Sequence, residues 1–379
     1  MKILFCTQCV LTRQLGGSRV AMEIATALQS LGWETELRAI PDIHENYCAR
    51  LGRGAHMRDS FRAFLQEHAA AYDVVDFDHA YLPWPREEFS PRTLLVARSV
   101  LLLEHLTRVK FPTRPTFRAR IRALLTADRD GREERSSIAA ARKTVLQADL
   151  VNVPNGDDRH CLEDLGMAPE KIVVIPYGIW PGAWPRAAAA STSEPPTVVF
   201  VGTFDYRKGC LDLVEIAKVL FSQIPDSRLR LLGTAGVFRT ADKVREFFPR
   251  ELWGRLEIVP QYEPEKLPSL LRGAAVGIFP SYLEGFGLAV VEMVAAGLPV
   301  LAYRAPGPSS ILPDTCLIEP GCVRLLADQA VALLRFPELR HRQAGECRKN
   351  CELFDWSRIG RQTSDIYQKA LGQLRSRPT

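Results

Sequence analysis

The hydrophobic and polar positions of this chain alternate between short apolar runs and longer amphipathic stretches, in two successive series. Short apolar runs predict buried strands, and apolar residues recurring every three or four positions predict helices. In the first half the predicted strands lie at 3–5, from 34 onward, and at 72–78, 93–97, 149–153 and 171–175. The predicted helices lie at 20–31, 61–70 and 117–147. This alternation predicts a parallel sheet with helices on both faces.

The second half repeats the alternation after an interruption rich in Pro, Gly, Ala and Ser at 177–196, which predicts a linker and hinge. The predicted strands that follow lie at 197–201, 228–232, 256–259, 277–279 and 300–303, with a helix at 211–221 and helical sequence from 323 onward. The pattern therefore predicts an α/β protein with one domain at 1–176, a second at 197–352, and a C-terminal helix within 353–379.

Length and composition agree with this division. A chain of 379 residues is long enough for two domains, and 46% hydrophobic with 25% charged residues is ordinary for a soluble globular protein. No apolar run has the length of a membrane span, and the first apolar run is too short for a signal peptide, so we expect a cytoplasmic protein. The nine cysteines lack zinc-like spacing, and we expect Cys6 and Cys9 to be structural thiols rather than a redox pair.

Charge is concentrated in one region. The formal net charge is only +5, but residues 107–143 hold eleven Lys or Arg against four Asp or Glu. One interpretation is a solvated basic helix face. The other is attraction to an anionic membrane surface, which would place the protein at the periphery of the membrane, or to an anionic acceptor. No aromatic residues are interleaved in the way that favours nucleic acid, so no nucleic-acid partner is predicted.

The most informative stretch is 281–297, which predicts a glycine turn followed by a short buried helix. From Leu288 to Ala296 every residue is apolar except Glu292. A buried carboxylate needs a donor, which a core arginine or a pair of sugar hydroxyls could supply. Because the helix begins at glycines, its first N–H groups are bare and its positive end suits an anion such as a diphosphate. Glu284 lies just before those amides.

Glu284 and Glu292, separated by seven residues and enclosing Gly-Phe-Gly, resemble the Glu-x7-Glu signature of retaining family 4 glycosyltransferases. The flanking Pro280-Ser281, Pro299-Val300 and Pro306-Gly307 resemble that family too. The resemblance implies a GT-B fold, in which two Rossmann-like domains face each other across a cleft and a C-terminal helix returns to the N-terminal domain. It also implies metal-independent transfer of a sugar, with retention, from a nucleoside-diphosphate sugar and without a further cofactor.

The resemblance implies roles for individual residues. Glu292 would bind the ribose hydroxyls, and Glu284 would meet the hexose. Lys208, in the loop 202–209, would bind the diphosphate. The further donor-binding residues that it implies are Gly285, Phe286, Gly287 and Leu288 at the helix start, Gly16 and Gly17 in an N-terminal glycine loop, and Tyr262 near the base.

Two positions depart from the family pattern. Thr203 stands where the family has an arginine, for which Arg207 is the candidate substitute. In the segment 96–105 the histidine at the strand end is missing and Val100 occupies the region, so Arg98 and His105 are the candidate acceptor-side residues.

Three other functions stay open at this point. A metal-dependent transferase would use an Asp-x-Asp motif, present at 76–78 and 128–130. An epimerase or phosphorylase of GT-B shape would keep the fold and change the reaction. A non-catalytic sugar-binding or scaffold protein is disfavoured by the set Glu284, Glu292 and Lys208, but the departures at Thr203 and Val100 keep it open. A dinucleotide oxidoreductase is disfavoured because no Gly-x-Gly-x-x-Gly follows a strand. The base, the sugar and the acceptor are not determined by the sequence.

Overall fold

The computed structural model describes residues 1–52, 55–114, 117–184 and 195–376, with side chains described for all of these except 117–131 and Ala183. The chain forms two compact units. The first contains Met1–Thr107, Pro115–Tyr177 and Trp356–Thr379, and the second contains Arg108–Arg114 and Gly178–Asp355. Residues 185–194 of the predicted linker lie outside the described part of the chain. Each unit is described by itself below.

The first unit is built on a six-stranded parallel sheet with the strand order β2-β1-β3-β4-β5-β6. Its strands are β1 (Lys2–Thr7), β2 (Glu34–Ala39), β3 (Val74–Asp78), β4 (Leu94–Arg98), β5 (Leu150–Val153) and β6 (Ile172–Val174). The interior strands β3 and β4 are buried at every residue. A parallel strand covered on both faces has no solvent side, which explains their apolar residues, and the exceptions are Asp76 and Asp78 on β3 and Arg98 on β4.

The helices of this part of the chain are α1 (Gly16–Gln29), α2 (Ile40–Leu51), α3 (Met57–His68), α4 (His105–Arg108), α5 (Phe117–Gln147) and α6 (Gly156–Asp164). The prediction of a helix over 117–147 is confirmed. Helix α1 begins at Gly16, earlier than the predicted start at residue 20, so the glycine pair forms its first turn. Helices α2 and α6 were not predicted.

The second unit contains another six-stranded parallel sheet, with the order β12-β11-β10-β7-β8-β9. Its strands are β7 (Thr197–Val201), β8 (Arg228–Leu232), β9 (Leu256–Val259), β10 (Ala274–Phe279), β11 (Val300–Tyr303) and β12 (Leu317–Ile318). Its helices are α7 (Cys210–Gln223), α8 (Ala241–Arg245), α9 (Leu267–Leu270), α10 (Leu288–Ala295), α11 (Pro308–Ile311), α12 (Val323–Arg335) and α13 (Pro337–Arg348). The central strands β7 and β10 are buried along their whole length.

The predicted helical sequence beyond residue 323 is divided into three helices. Helix α12 ends at Arg335 and α13 begins at Pro337, because proline cannot continue a helix but is well placed in a first turn. The third helix, α14 (Trp356–Arg375), belongs to the first unit. Within the described ranges, no helix is both long enough and apolar enough to span a bilayer.

Helix α14 packs closely on α1. A Cβ atom added at Gly360 would lie 2.7 Å from the Cβ atom of Ala27, so two small residues allow the helices to approach. Trp33 Nε1 donates to Ser364 Oγ at 3.0 Å, and Tyr367 donates to Asp76 Oδ2 on β3 at 2.5 Å. The last helix of the chain is therefore bound to the sheet of the first unit by both packing and hydrogen bonds.

This contact predicts opposite effects for one substitution at two glycines of α14. Gly360→Ala should lower the free energy of unfolding by about 1–3 kcal/mol, because the added methyl group overpacks the contact with Ala27. Gly372→Ala should raise it by up to about 1 kcal/mol, because no atom lies within 4 Å of the added methyl and alanine favours the helix. Thermal unfolding of both variants measures the difference. Equal shifts in melting temperature would contradict the close packing at Gly360.

Candidate functional site

The candidate site of the second unit lies where the neighbouring strands β7 and β10 end. Strand β7 continues into the loop 202–209, here called the β7 loop, and β10 continues into the loop 280–287, here called the β10 loop. Because the two strands are parallel and adjacent, both loops emerge at the carboxyl edge of the sheet. This is the edge at which open α/β sheets bind their ligands.

An ion pair between the two loops is the centre of the site. The side chain of Glu284 is buried, and its Oε1 lies 2.5 Å from Lys208 Nζ and 3.4 Å from Arg207 Nη1. Ser281 Oγ donates to the same oxygen at 2.7 Å. Burial raises the pKa of Glu284, but the charges of Lys208 and Arg207 together with the hydrogen bonds outweigh it, so this pKa is below its ordinary value. Glu284 is therefore a carboxylate at neutral pH.

Backbone contacts hold the two loops in register. The amide of Tyr282 donates to Arg207 O at 2.9 Å, and Arg207 Nη1 donates to Leu283 O at 2.6 Å. At Gly209, where α7 is about to begin, φ is +75° and an added Cβ would lie 2.1 Å from Pro280 O. Only glycine fits a left-handed conformation at such a short distance from a carbonyl oxygen.

Asp205 shapes the turn that presents Lys208. Its Oδ1 accepts from the amide of Lys208 at 3.0 Å, and its Oδ2 accepts from Thr203 Oγ1 at 2.6 Å. The lysine Nζ lies 5.2 Å from the ring centroid of Phe279, which holds the side chain along the end of β10. The sequence prediction did not include Asp205. Its signal is an Asp three residues before the lysine, the spacing of a side-chain-capped turn.

The start of α10 offers backbone donors beside this pair. Gly287, at φ +93°, precedes the first turn, which has no side-chain cap and no acidic residue. The first turn of α10 therefore contains no side chain of its own that would offset the positive end of the helix dipole. Gly285 and Phe286 precede this turn. The rings of Phe286 and Phe354 pack edge-on, with their centroids 5.5 Å apart. Leu288 opens the helix, and Glu292 lies one turn further, 4% exposed.

The remaining candidates of the second unit lie around this centre. Thr203 binds Asp205, and Arg207 is bound to the β10 loop through Leu283 and Glu284. The ring of Tyr262 is half-buried and lies against Gly233, beyond the end of β8. The structure thus brings Lys208, Arg207 and Glu284 into contact.

The candidates of the first unit lie at the carboxyl edge of its own sheet. Gly16 and Gly17 form the first turn of α1, which has no side-chain cap. Gly17, Arg98 and Val100 line one cavity. Both oxygens of Asp76 accept from Arg98, at 2.9 and 2.6 Å, and Arg98 is only 4% exposed. Burial opposes the charge of Arg98, but Asp76 outweighs this and raises the pKa of the guanidinium.

His105 also has a buried partner. Its Nε2 lies 2.8 Å from Asp158 Oδ1, and both side chains are buried. Arg98 and His105 therefore each have a buried carboxylate partner within the first unit, and their acceptor-side role stays a prediction.

Of the two Asp-x-Asp motifs, the structure describes the side chains only of the one at 76–78. The carboxylate of Asp76 already binds Arg98 and Tyr367, so a metal ion there would have to displace a buried ion pair. The side chains of Asp128 and Asp130 lie outside the described residues. In the described ranges, no group of three or more His, Cys, Asp or Glu side chains is placed to hold a metal ion.

Comparison with known proteins gives three kinds of match. Residues 186–350 match the model of the family "Glycosyl transferases group 1". A D-inositol 3-phosphate glycosyltransferase of Corynebacterium glutamicum (strain R) is 31% identical over 182 residues, which are 46% of this chain and 43% of that protein. The chain spans about half the length of the curated relatives that it matches first.

Two solved structures resemble the chain over nearly its whole length. A sucrose-phosphate synthase from Thermosynechococcus elongatus has a TM-score of 0.75 at 21% identity, covering 98% of this chain and 100% of that one. The Anabaena protein HepE, solved in complex with UDP and glucose, has a TM-score of 0.67 at 17% identity, covering 97% and 99%. At such identities the likeness is one of fold, and it confirms the predicted GT-B fold with two Rossmann-like α/β domains.

The ion pair at the centre of the site predicts a pH-dependent stability. At neutral pH, Glu284→Gln should lower the free energy of unfolding by about 3 kcal/mol, because it leaves Lys208 without its buried partner. The pKa of Glu284 is lowered by folding, so the advantage of the native protein is complete above the unfolded pKa near 4.3 and is lost as pH falls through the folded pKa. Melting temperatures of both proteins between pH 7 and pH 3 test this.

The control is the double variant Lys208→Met with Glu284→Gln, which removes both charges. We expect it to be more stable at pH 7 than Glu284→Gln alone, because the charge of Lys208 is no longer left without its partner, while Arg207 is the same in both variants. A difference between native protein and Glu284→Gln that stays constant down to pH 3 would show that folding does not lower the pKa of Glu284.

Proposed function

We propose that this chain is a glycosyltransferase that moves a sugar from a nucleoside-diphosphate sugar to an acceptor. One observation carries the proposal: the half-buried Lys208 and the buried Glu284 form an ion pair beside the uncapped first turn of α10, at the ligand-binding edge of a parallel sheet. A diphosphate is bound by cations and by backbone N–H groups that point toward it. Lys208 supplies the cation, and the first turn of α10 supplies the backbone N–H groups.

The chemistry then divides among these groups. Lys208 and the first turn of α10 stabilise the negative charge that grows on the departing diphosphate as the bond to the sugar breaks. Glu284 fixes the position of Lys208 and meets the hexose, while Glu292 binds the ribose hydroxyls. Tyr262 contacts the base, and the role of Gly16 and Gly17 of the first unit stays a prediction from the sequence.

The matches to known proteins support the type of donor. The family whose model fits residues 186–350 is one of glycosyl transferases, and HepE was solved with UDP and glucose. Uridine diphosphate sugars are therefore the first donors to test, followed by guanosine and adenosine diphosphate sugars.

The finer features of the reaction are part of the same proposal. Transfer proceeds with retention at the anomeric carbon and without a metal ion, and the departing diphosphate takes the proton of the acceptor hydroxyl. The protein is cytoplasmic, and its basic region 107–143 attracts an anionic membrane surface or an anionic acceptor. Activity that survives an excess of chelator separates this reaction from that of a metal-dependent transferase.

At a fixed concentration, a donor that binds more tightly should raise the melting temperature more, because stabilisation grows with the logarithm of the ratio of ligand concentration to Kd. A nucleotide present at about a hundred times its Kd stabilises the folded state by about 2.7 kcal/mol. A panel of uridine, guanosine and adenosine diphosphate sugars identifies the base by the largest shift. If none of the panel shifts the melting temperature, the donor site is assigned wrongly.

Lys208→Ala should lower kcat by about a hundredfold to a thousandfold, because it removes a preorganised charge from the transition state. The matched control is Lys218→Ala, on the exposed face of α7, where the lysine contacts only Glu215 among the described ion pairs. We expect the control to transfer sugar at the native rate. Kinetics of Lys208→Ala close to those of the native protein would overturn the proposed role of the lysine.

A further inference from the structure

Asp212 is a buried carboxylate for which the proposed chemistry has no use. It lies in the first turn of α7 and is 5% exposed. Its Oδ2 accepts hydrogen bonds from two phenols, Tyr282 and Tyr303, each at 2.7 Å. Burial raises the pKa of Asp212, and the two hydroxyl donors oppose that shift without cancelling it. Burying a carboxyl group costs free energy, which indicates that Asp212 has a role at this position.

Tyr282 links this acid to the candidate site. It stands in the β10 loop between Ser281 and Leu283, directly before Glu284. Its amide donates to Arg207 O at 2.9 Å, and its hydroxyl donates to Asp212. The residue is therefore bound to the β7 loop through its backbone and to α7 through its side chain. Both of its neighbours contact the site, since Ser281 donates to Glu284 and Leu283 O accepts from Arg207.

We propose that Asp212 and Tyr282 are positioning residues that hold the segment 281–284 so that Glu284 places Lys208 against the donor diphosphate. The inference rests on the proposed function and adds to it the residues that set the geometry of the site. Neither residue needs to touch the substrate. Asp212 acts through Tyr282, and Tyr282 acts through the backbone that it shares with Glu284.

The physical reason is the sensitivity of electrostatic stabilisation to position. A displacement of about 1 Å in a group that stabilises the transition state lowers a rate by up to about a hundredfold. The segment 281–284 has no regular secondary structure of its own, so its position depends on its hydrogen bonds. The bond from Tyr282 to Asp212 is a charge-assisted one, and such bonds are the stronger kind.

The chain supplies a matched control in Tyr303. Its hydroxyl donates to the same oxygen of Asp212 at the same distance, and its ring packs edge-on against that of Tyr282 at 5.2 Å. Tyr303, however, ends strand β11 and is not part of the β10 loop. Tyr282→Phe and Tyr303→Phe therefore remove equivalent hydrogen bonds, and only the first removes one from the segment that carries Glu284.

The experiment compares steady-state transfer and amide hydrogen exchange in the two variants of the full chain. We expect both to lower the melting temperature by similar amounts. Tyr282→Phe should lower kcat about tenfold or more and change the KM for the donor by less than about twofold, whereas Tyr303→Phe should leave kcat within about twofold. Exchange at the amides of 282–284 should be faster in Tyr282→Phe alone.

A conservative rescue tests the acid itself. Asp212→Asn keeps an acceptor oxygen for Tyr282, so we expect it to retain more of kcat than Asp212→Ala. Equal losses of kcat in Tyr282→Phe and Tyr303→Phe, or equal exchange at 282–284, would overturn the inference, because the hydroxyls would then act only on stability. If the native protein transfers no sugar, the proposed function fails, and the exchange measurement still decides whether Asp212 holds this segment.

Discussion

The second unit depends on the constraint that a carboxylate removed from water must be paired. Glu284 is buried at the point where two loops meet, and Lys208, Arg207 and Ser281 supply its partners. All three lie on the two loops, so satisfying the carboxylate also fixes one loop against the other. Because removing one partner from a buried pair is far more costly than the pair is favourable, the arrangement resists change at either end. A rigid cation at a sheet edge is the result.

The first unit uses a buried ion pair differently. Arg98 binds Asp76 on the neighbouring strand, at the end of β4, and Tyr367 donates to the same carboxylate. Asn152 and Arg98 in turn donate to the hydroxyl of Tyr367. This network joins three strands and a helix, and its charged groups are almost fully enclosed. The Arg98–Asp76 pair stabilises the sheet of the first unit. In the second unit the Lys208–Glu284 pair lies beside the uncapped first turn of α10.

The sequence predicted most strands because strands of a parallel sheet are rich in apolar residues, and even β8 and β9, which carry charged residues, keep buried apolar positions. Strands β7, β8, β9 and β11 have the predicted bounds. Helix α2 was missed because Pro, Asp and Asn in its sequence resemble a loop, and β12 was missed because two residues carry no periodicity. Both elements are specified by the packing around them rather than by their own pattern.

The site was predictable in part, for the same kind of reason. Lys208 and Glu284 each stand in a local motif, so the sequence alone marked them. Their contact joins positions more than seventy residues apart, and only the adjacency of β7 and β10 determines it. Asp212 carried no local signal at all, since its two partners are Tyr282 and Tyr303, 70 and 91 residues further along the chain.

The hydrogen bond between Tyr367 and Asp76 has a consequence for biosynthesis. Asp76 leaves the ribosome early, and Arg98 follows soon after it, but α14 is translated only after the whole second unit. Until α14 has been translated, the surface of the first unit that α14 covers in the folded protein is therefore exposed. An exposed apolar surface of that kind invites aggregation or chaperone capture until translation reaches α14.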